Sequence, residues 1–342
     1  EAQNACHTWP HAVEFPIRPS ASMQSSILTG HAETTDVDEL AILLSDWSQH
    51  YQQITPGAFS GSMKHVRFEG LQLFRETTSQ RIHQAGTTAP STLTFAMPIA
   101  LSEPVRWRGL MADADDMVCI WGGQEIDICN ARHCDLLGVS VDLEEFSAYA
   151  EQAGEHDLLR LHGAALLKPA AQVRQAVQGF LVNTLDTVMA DAVPLGHAQA
   201  QKALRESVHA SLLALLTQHD AFPPSFSGAH ARQLVGQARA YLREHREEVT
   251  SVKDMCELLG VSQRTLQYAF QDVLGINPHS YFRAIRLNSV RRDLKHPAPD
   301  TAVLDVAARW GFWHPSHFSA DYKRMFGELP SMTLRRAQGL LA

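Results

Sequence analysis

Cysteine is scarce in this 342-residue chain. The five present, Cys6, Cys119, Cys129, Cys134 and Cys256, are odd in number and form no Cys-x-x-Cys pair. A disulfide framework or a zinc ribbon needs paired, closely spaced thiols, so these read as reduced, buried small hydrophobes. No apolar run approaches the ~18 residues of a membrane helix. The first thirty residues lack the basic start and apolar core of a secretory signal, although the chain opens at Glu1 rather than Met and so leaves its native start open. Catalytic signatures are missing too. A cupin-type metal site would need a His-x-His pair on barrel strands; none occurs, and His65, His83 and His133 stand isolated. No Gly-x-Ser-x-Gly elbow marks a hydrolase. With 45% apolar residues the chain has ample material for a packed core. The expectation is a cytoplasmic, non-enzymatic chain of two domains, with no metal and no membrane contact.

Negative charge exceeds positive by eight overall, but unevenly. Residues 231–342 hold 16 Lys and Arg against 11 Asp and Glu, while the remainder holds 13 against 26. A basic module joined to an acidic one points to a nucleic-acid partner for the basic part.

Composition divides the chain further. Ala221-Phe-Pro-Pro-Ser-Phe-Ser-Gly-Ala229 cannot continue a helix and reads as a linker. Ahead of it, residues 170–190 and 198–217 space apolar residues as two amphipathic helices, which suit either packing on their own domain or pairing with a second subunit. Between 59 and 142, β-prone runs at Met63–Phe68, Leu71–Arg75, Leu93–Met97, Val105–Trp107, Met117–Trp121, Glu125–Cys129 and Leu136–Val141 alternate with turn residues. A helix is expected over Val37–Gln53. The fold class is therefore α+β: an N-terminal antiparallel β barrel or sandwich, cupin-like, with helices, followed by an all-α C-terminal domain. The expected boundaries are a tail at 1–30, the β-rich domain at 31–155, a helical connector at 156–220, the linker at 221–230, and the C-terminal domain at 231–342.

That last domain repeats itself. Leu259-Gly260-Val261 returns as Trp310-Gly311-Phe312, preceded by matching apolar sets. Beyond the turn, Leu266, Phe270, Leu274, Gly275 and Pro278 correspond to Phe318, Tyr322, Phe326, Gly327 and Pro330. Helix, Gly turn, second helix and Gly stop describe a helix-turn-helix, here present twice. Ser262 suits the N-cap of the second helix in the first copy. Pro315 suits the first helical position in the second. The second helix of such a unit enters the major groove by its N-terminal turns. In the first copy these expose Gln263, Arg264, Gln267 and Tyr268; Arg pairs bidentately with guanine and Gln with adenine. The second copy offers Ser316, His317 and Ser319, without a long polar reader. Its Lys323 and Arg324, further along, are placed to neutralise phosphates. His314 and His317 lack a third metal ligand and read as capping or DNA-contact groups. Between the copies a helix over His279–Lys295 spaces them, given a basic character by Arg283, Arg286, Arg291 and Arg292.

Ser251–Gly275, Tyr281–Leu294 and Thr301–Pro330 resemble the AraC/XylS family of transcriptional regulators, above all through Ala307-Ala-Arg-Trp-Gly-Phe312 and Ser316-His-Phe-Ser319. The resemblance implies base contacts at Arg264, Gln267 and Tyr268, an activator of transcription, and a homodimer that engages RNA polymerase on double-stranded DNA. Within the family the chain is similar to regulators of ethanolamine-utilisation operons, through Arg264-Thr-Leu-Gln267, Ile285–Arg292 and Trp310-Gly-Phe-Trp-His314, with Thr34–Val37, Ile54–Gly57 and Phe74–Glu76 upstream. That implies ethanolamine or another small amine as effector, with adenosylcobalamin as a cofactor, though no cobalamin-binding motif is visible. Candidate effector contacts on the predicted strands are Arg75, Phe95, Trp107, Trp121 and Glu125. The alternative reading is a cupin-type metal-dependent enzyme domain fused to a DNA-binding module.

Overall fold

The computed structural model describes residues 27–44, 46–155, 166–221, 228–245, 248 and 250–340. Most of the expected N-terminal tail and of the 221–230 linker, and the first ten residues of the connector (156–165), lie outside the described residues. Two antiparallel sheets face each other. The larger runs in the order β1 (Leu28–Thr34), β3 (Gly61–Phe68), β4 (Leu71–Thr78), β11 (Cys134–Asp142), β6 (Thr92–Leu101), β9 (Met117–Trp121), β12 (Leu166–Pro169) and β13 (His219–Ala221). The smaller runs β2 (Ser48–Gln53), β5 (Ile82–Thr87), β10 (Glu125–Cys129), β7 (Val105–Trp107) and β8 (Leu110–Ala112). Tyr51, Met63, Phe74 and Ile82 fill one part of the space between the sheets, and Val105, Trp107, Ile120 and Ile126 another. The N-terminal domain is thus a β sandwich, as the run of short strands predicts.

The larger sheet is buried on both faces. Along β6, Leu93, Phe95 and Met97 join a core with α2 (Leu143–Gln152), α3 (Ala171–Ala190) and α4 (Ala198–Thr217). Thr94, between them, donates to or accepts from Ser140 across the sheet at 2.7 Å. This alternation is the period of two that a strand imposes. The apolar stripes of α3 and α4 (Val177, Leu181, Leu185; Val208, Leu212, Leu216) are spent on that same core within one chain. The structure therefore uses these two helices for packing on their own domain.

The helix expected over Val37–Gln53 needs correction. It stops as α1 (Val37–Ala41), capped by the Asp36 carboxylate, which accepts from the Asp38 and Glu39 backbone N–H groups. The remainder is β2. Leu40 and Leu44 do reach the core, but Tyr51 and Gln53 are buried while His50 and Gln52 are half-buried. Pairing with β5 over six residues satisfies the backbone there, and it prevails over helical spacing that the Trp47 side chain only simulates.

The C-terminal domain comprises α5 (Ala229–Glu244), α6 (Val252–Leu259), α7 (Gln263–Leu274), α8 (Pro278–Lys295), α9 (Val303–Arg309), α10 (Pro315–Phe326) and α11 (Pro330–Ala337). α8 belongs to two cores. Its Tyr281 and Phe282 pack with Met255, Leu266 and Phe270 of the first unit and Leu234 of α5. Its Leu287, Val290 and Leu294 pack with Val306, Phe318 and Tyr322 of the second. At ~1.5 Å per residue α8 is about 27 Å long, a rigid spacer anchored at both ends.

Candidate nucleic-acid interface

The first helix-turn-helix is punctuated by local chemistry. Ser251 and Asp254 form a reciprocal capping box that starts α6. Gly260 ends it in the left-handed region at φ 64°, a conformation that costs a residue with a Cβ. Two residues on, the Ser262 hydroxyl accepts from the Thr265 N–H at 3.1 Å and starts α7. The short turn fixes which face of α7 is inward. Leu266, Ala269 and Phe270 are buried, and Gln263, Arg264, Gln267 and Tyr268 are exposed. All four candidate contacts of the first copy therefore share one solvent face. Within it the Arg264 Nη2 donates to the Tyr268 hydroxyl at 3.0 Å, and the guanidinium lies 5.2 Å from that ring centroid. The ring steers the guanidinium without neutralising it.

The second unit follows the same plan with one residue more in its turn. Gly311 takes φ 78°, and Pro315 holds the first helical position of α10. His314 occupies the N-cap position without making a side-chain cap bond, which leaves the DNA-contact alternative of its expected reading. Ser316, His317 and Lys323 are exposed, and Ser319 is half-buried. Arg324 is exposed but engaged, donating to the Asp321 carboxylate at 2.6 Å. Of the two phosphate-neutralising candidates, only Lys323 has no ion-pair partner among the described residues.

The basic character expected of the spacer helix is largely absorbed inside the molecule. Arg283 pairs with Asp321, Arg291 with Asp36 and Glu328, and Arg292 with Asp38. Arg286 lies over the Phe312 ring at 5.5 Å, half-buried, and burial beside Arg283 lowers its pKa.

These pairs join the two domains, a feature that sequence reasoning missed. Asp36 sits between Arg291 Nε at 3.2 Å and Lys295 Nζ at 2.9 Å. Asn288 Nδ2 donates to the Gln53 carbonyl, and Gln53 Nε2 donates to the Met325 carbonyl of α10. A second buried chain runs from β5 and β10 to α5 and α8: the Tyr281 hydroxyl donates to His83 Nδ1, and His83 Nε2 donates to Asp127, which also accepts from Arg239 at 2.7 Å. Burial and the Arg239 charge push the His83 pKa down, which keeps the ring neutral. Burial opposes ionisation of Asp127, but the His83 hydrogen bond and Arg239 prevail and hold it at about 2. The smaller sheet thus grips α5, α8 and α10 while the faces carrying Arg264 and His317 stay open.

In the N-terminal domain the five candidate effector contacts are not brought together. Phe95 and Trp121 face α2–α4, Trp107 lies between the sheets, Glu125 is exposed, and Arg75 is held bidentately by Asp135 at 2.9 and 2.7 Å. An open cavity of about 880 Å³ lies elsewhere, at one end of the sandwich. Trp47, Arg67, Phe68, Gln72, Thr92 and Ser140 help to line it. None of the five candidates does. The signal was available: Gln72 and Ser140 are polar residues on strands whose alternate neighbours are apolar.

Residues 255–336 match the model of the helix-turn-helix domain. A Rhodococcus erythropolis protein named "Probable thc operon regulatory protein" is 38% identical over 103 residues, 30% of this chain and 31% of that one. The XylDLEGF operon transcriptional activator 3 of Pseudomonas putida is 23% identical over 297 residues, 82% of this chain and 83% of its own. Among solved structures, a probable AraC family transcriptional regulator from Rhodopseudomonas palustris is 33% identical and covers 31% of this chain and 97% of its own, with a TM-score of 0.29. The chain thus spans under a third of the first curated relative's length. These relatives are named as regulators of transcription, not as enzymes.

Proposed function

We propose that the chain carries the paired helix-turn-helix domain of the AraC/XylS transcriptional regulators and is an effector-responsive, sequence-specific DNA-binding activator working in the cytoplasm, a reading supported by the helix-turn-helix match over residues 255–336. The observation that carries this reading is the pair of exposed tips on one shared spacer: Gln263, Arg264, Gln267 and Tyr268 on α7, and Ser316, His317 and Lys323 on α10 with half-buried Ser319 between them, each backed by a buried apolar row. Arg264 and Gln267 read bases in the first groove. Lys323 neutralises phosphate beside the second, positioning the protein without specifying sequence.

The effector enters the cavity at the end of the sandwich. Among its described lining residues are the carboxylates of Asp46, Glu69 and Asp142 and a single guanidinium, Arg67, paired with Asp46 at 2.5 Å. That balance favours a small cation, which agrees with ethanolamine or a related amine. Binding alters transcription only in so far as the amine prefers one arrangement of the two domains, and the buried contacts among Asp36, Arg291 and Lys295 are where the arrangements differ in energy. The active form is a homodimer that recruits RNA polymerase. The test begins with duplexes enriched by the full chain from a random pool. Arg264→Ala should weaken binding to them by ~1–3 kcal/mol and relax the preference at one base pair. Unchanged affinity and preference would overturn the assignment. Ethanolamine should also raise the melting temperature of the full chain by mass action. No shift at millimolar amine would remove it as the effector.

A further inference from the structure

Trp313 is 74% exposed, whereas the other tryptophans among the described residues are buried or half-buried. It has no hydrogen-bond or ring partner among the described residues. The other aromatic groups of its turn are occupied: the Trp310 Nε1 donates to Asp293 at 2.8 Å, and Phe312 packs on Phe318 at 5.2 Å. Its place in the turn is distinctive. In the first unit Gly260, Val261 and the N-cap Ser262 follow one another directly. In the second, Gly311 and Phe312 take the places of Gly260 and Val261, but the N-cap is His314. The extra residue is Trp313, set immediately before the first turn of α10.

An exposed indole is an expensive surface group in water and combines a large apolar face with one N–H donor. α10 presents only short or aromatic polar groups at this end, namely Ser316, His317 and Ser319. It has no long polar side chain with which to hold a groove wall. Exposed Lys323 on the same helix supplies positive charge, so the setting suits a polyanion rather than an apolar protein surface.

We propose that Trp313 is the anchor of the second helix-turn-helix on DNA, its indole packing against the deoxyribose-phosphate strand that borders the groove entered by α10, with Nε1–H donated to a phosphate oxygen. This rests on the DNA-binding reading above. Trp313 adds affinity rather than base choice, and it compensates for the missing polar readers of α10.

The test uses the full chain and duplexes that the wild-type protein enriches from a random pool, together with truncated duplexes holding only the half-site protected by α7. Trp313→Ala should weaken binding to the complete site about tenfold, equally for all base substitutions in the α10 half, and leave the truncated duplex within about twofold. Its melting temperature should match wild type, because the side chain is solvent-exposed. The tryptophan emission lost in Trp313→Phe should be the component that DNA quenches. Equal affinity of wild type and Trp313→Ala, or DNA quenching that persists in Trp313→Phe, overturns the proposal. So does intact DNA binding with impaired polymerase-dependent transcription, which would assign the indole to a protein partner. A wild-type chain that enriches no duplex overturns the DNA-binding reading itself, and the anchor with it.

Discussion

Asp36→Asn isolates the contact that ties the sandwich to the reading domain. The aspartate is 5% exposed and does two things at once: it caps α1, and it faces Arg291 and Lys295 of α8. Asparagine caps a helix as well as aspartate does, so the substitution leaves α1 intact and removes only the charge. Lys295 is then left with Glu39 at 4.0 Å, and Arg291 with Glu328 at 3.4 Å. Removing one member of a buried pair costs ~3–5 kcal/mol. Partial compensation by these two carboxylates places the expected loss near the lower bound, about 3 kcal/mol. Urea unfolding followed by tryptophan emission measures it, and a cycle with Lys295→Met should return a coupling of ~1–2 kcal/mol. The aspartate pKa offers a second reading. Burial raises it, but Lys295 and Arg291 outweigh burial and leave it below its ordinary 3.8. The contribution is therefore complete above pH 4 and lost as pH falls further. A loss under about 0.5 kcal/mol with no coupling would mean that water screens the cluster and that it does not hold the domains together.

Three further outcomes follow from particular residues. Burial raises Glu76 to about 7 from 4.5, against hydrogen bonds donated by Tyr51 and Gln84. An acid with a raised folded-state pKa loses stability as pH rises between those values, here by ~3 kcal/mol, with no further loss above them. His209 has the opposite sign: burial and Arg205 hold it at about 4, so its contribution grows between pH 4 and 6.5. Glu76→Gln should raise the melting temperature at pH 8 and remove the fall in stability between pH 4.5 and 7; an unchanged profile would contradict the buried-acid assignment. Gly260→Ala meets no atom within 4 Å of its new Cβ, so the cost is backbone strain alone, ~1–2 kcal/mol in urea unfolding; no change would mean that the turn relaxes. Lys323→Ala should weaken every duplex alike and reduce the salt slope by about one, and a sequence-dependent loss would make Lys323 a base reader instead.

The sequence carried most of the local structure. Strands Val105–Trp107, Met117–Trp121 and Glu125–Cys129 stand where β-prone runs end in turn residues, and the 170–190 and 198–217 helices stand where the apolar stripes do. The exposed row of α7 was legible because a helix buries every third or fourth residue, and Leu266 and Phe270 set its phase. What stayed hidden depends on pairing across distance. β2 forms because β5 accepts it, and nothing within Ser48–Gln53 announces that partner. The domain contact was equally invisible, since Asp36 and Arg291 meet only once both domains have folded. Arg291 and Arg292 read as a basic helix face for the same reason: charge can be counted along a chain, but its partners cannot. The effector contacts illustrate the limit of parity. Phe95 and Trp107 both lie on strands, yet they face opposite sides of the larger sheet, and that sheet's helical cover makes both sides equally apolar.

The central claim is that two tips on one rigid spacer grip a single duplex. Hydroxyl-radical footprinting of the full chain on an enriched duplex tests it most directly. Two protected windows centred about one helical turn apart, ~10–10.5 base pairs, on one face of the DNA are the predicted result. A single protected window, or two on opposite faces of the duplex, would contradict it.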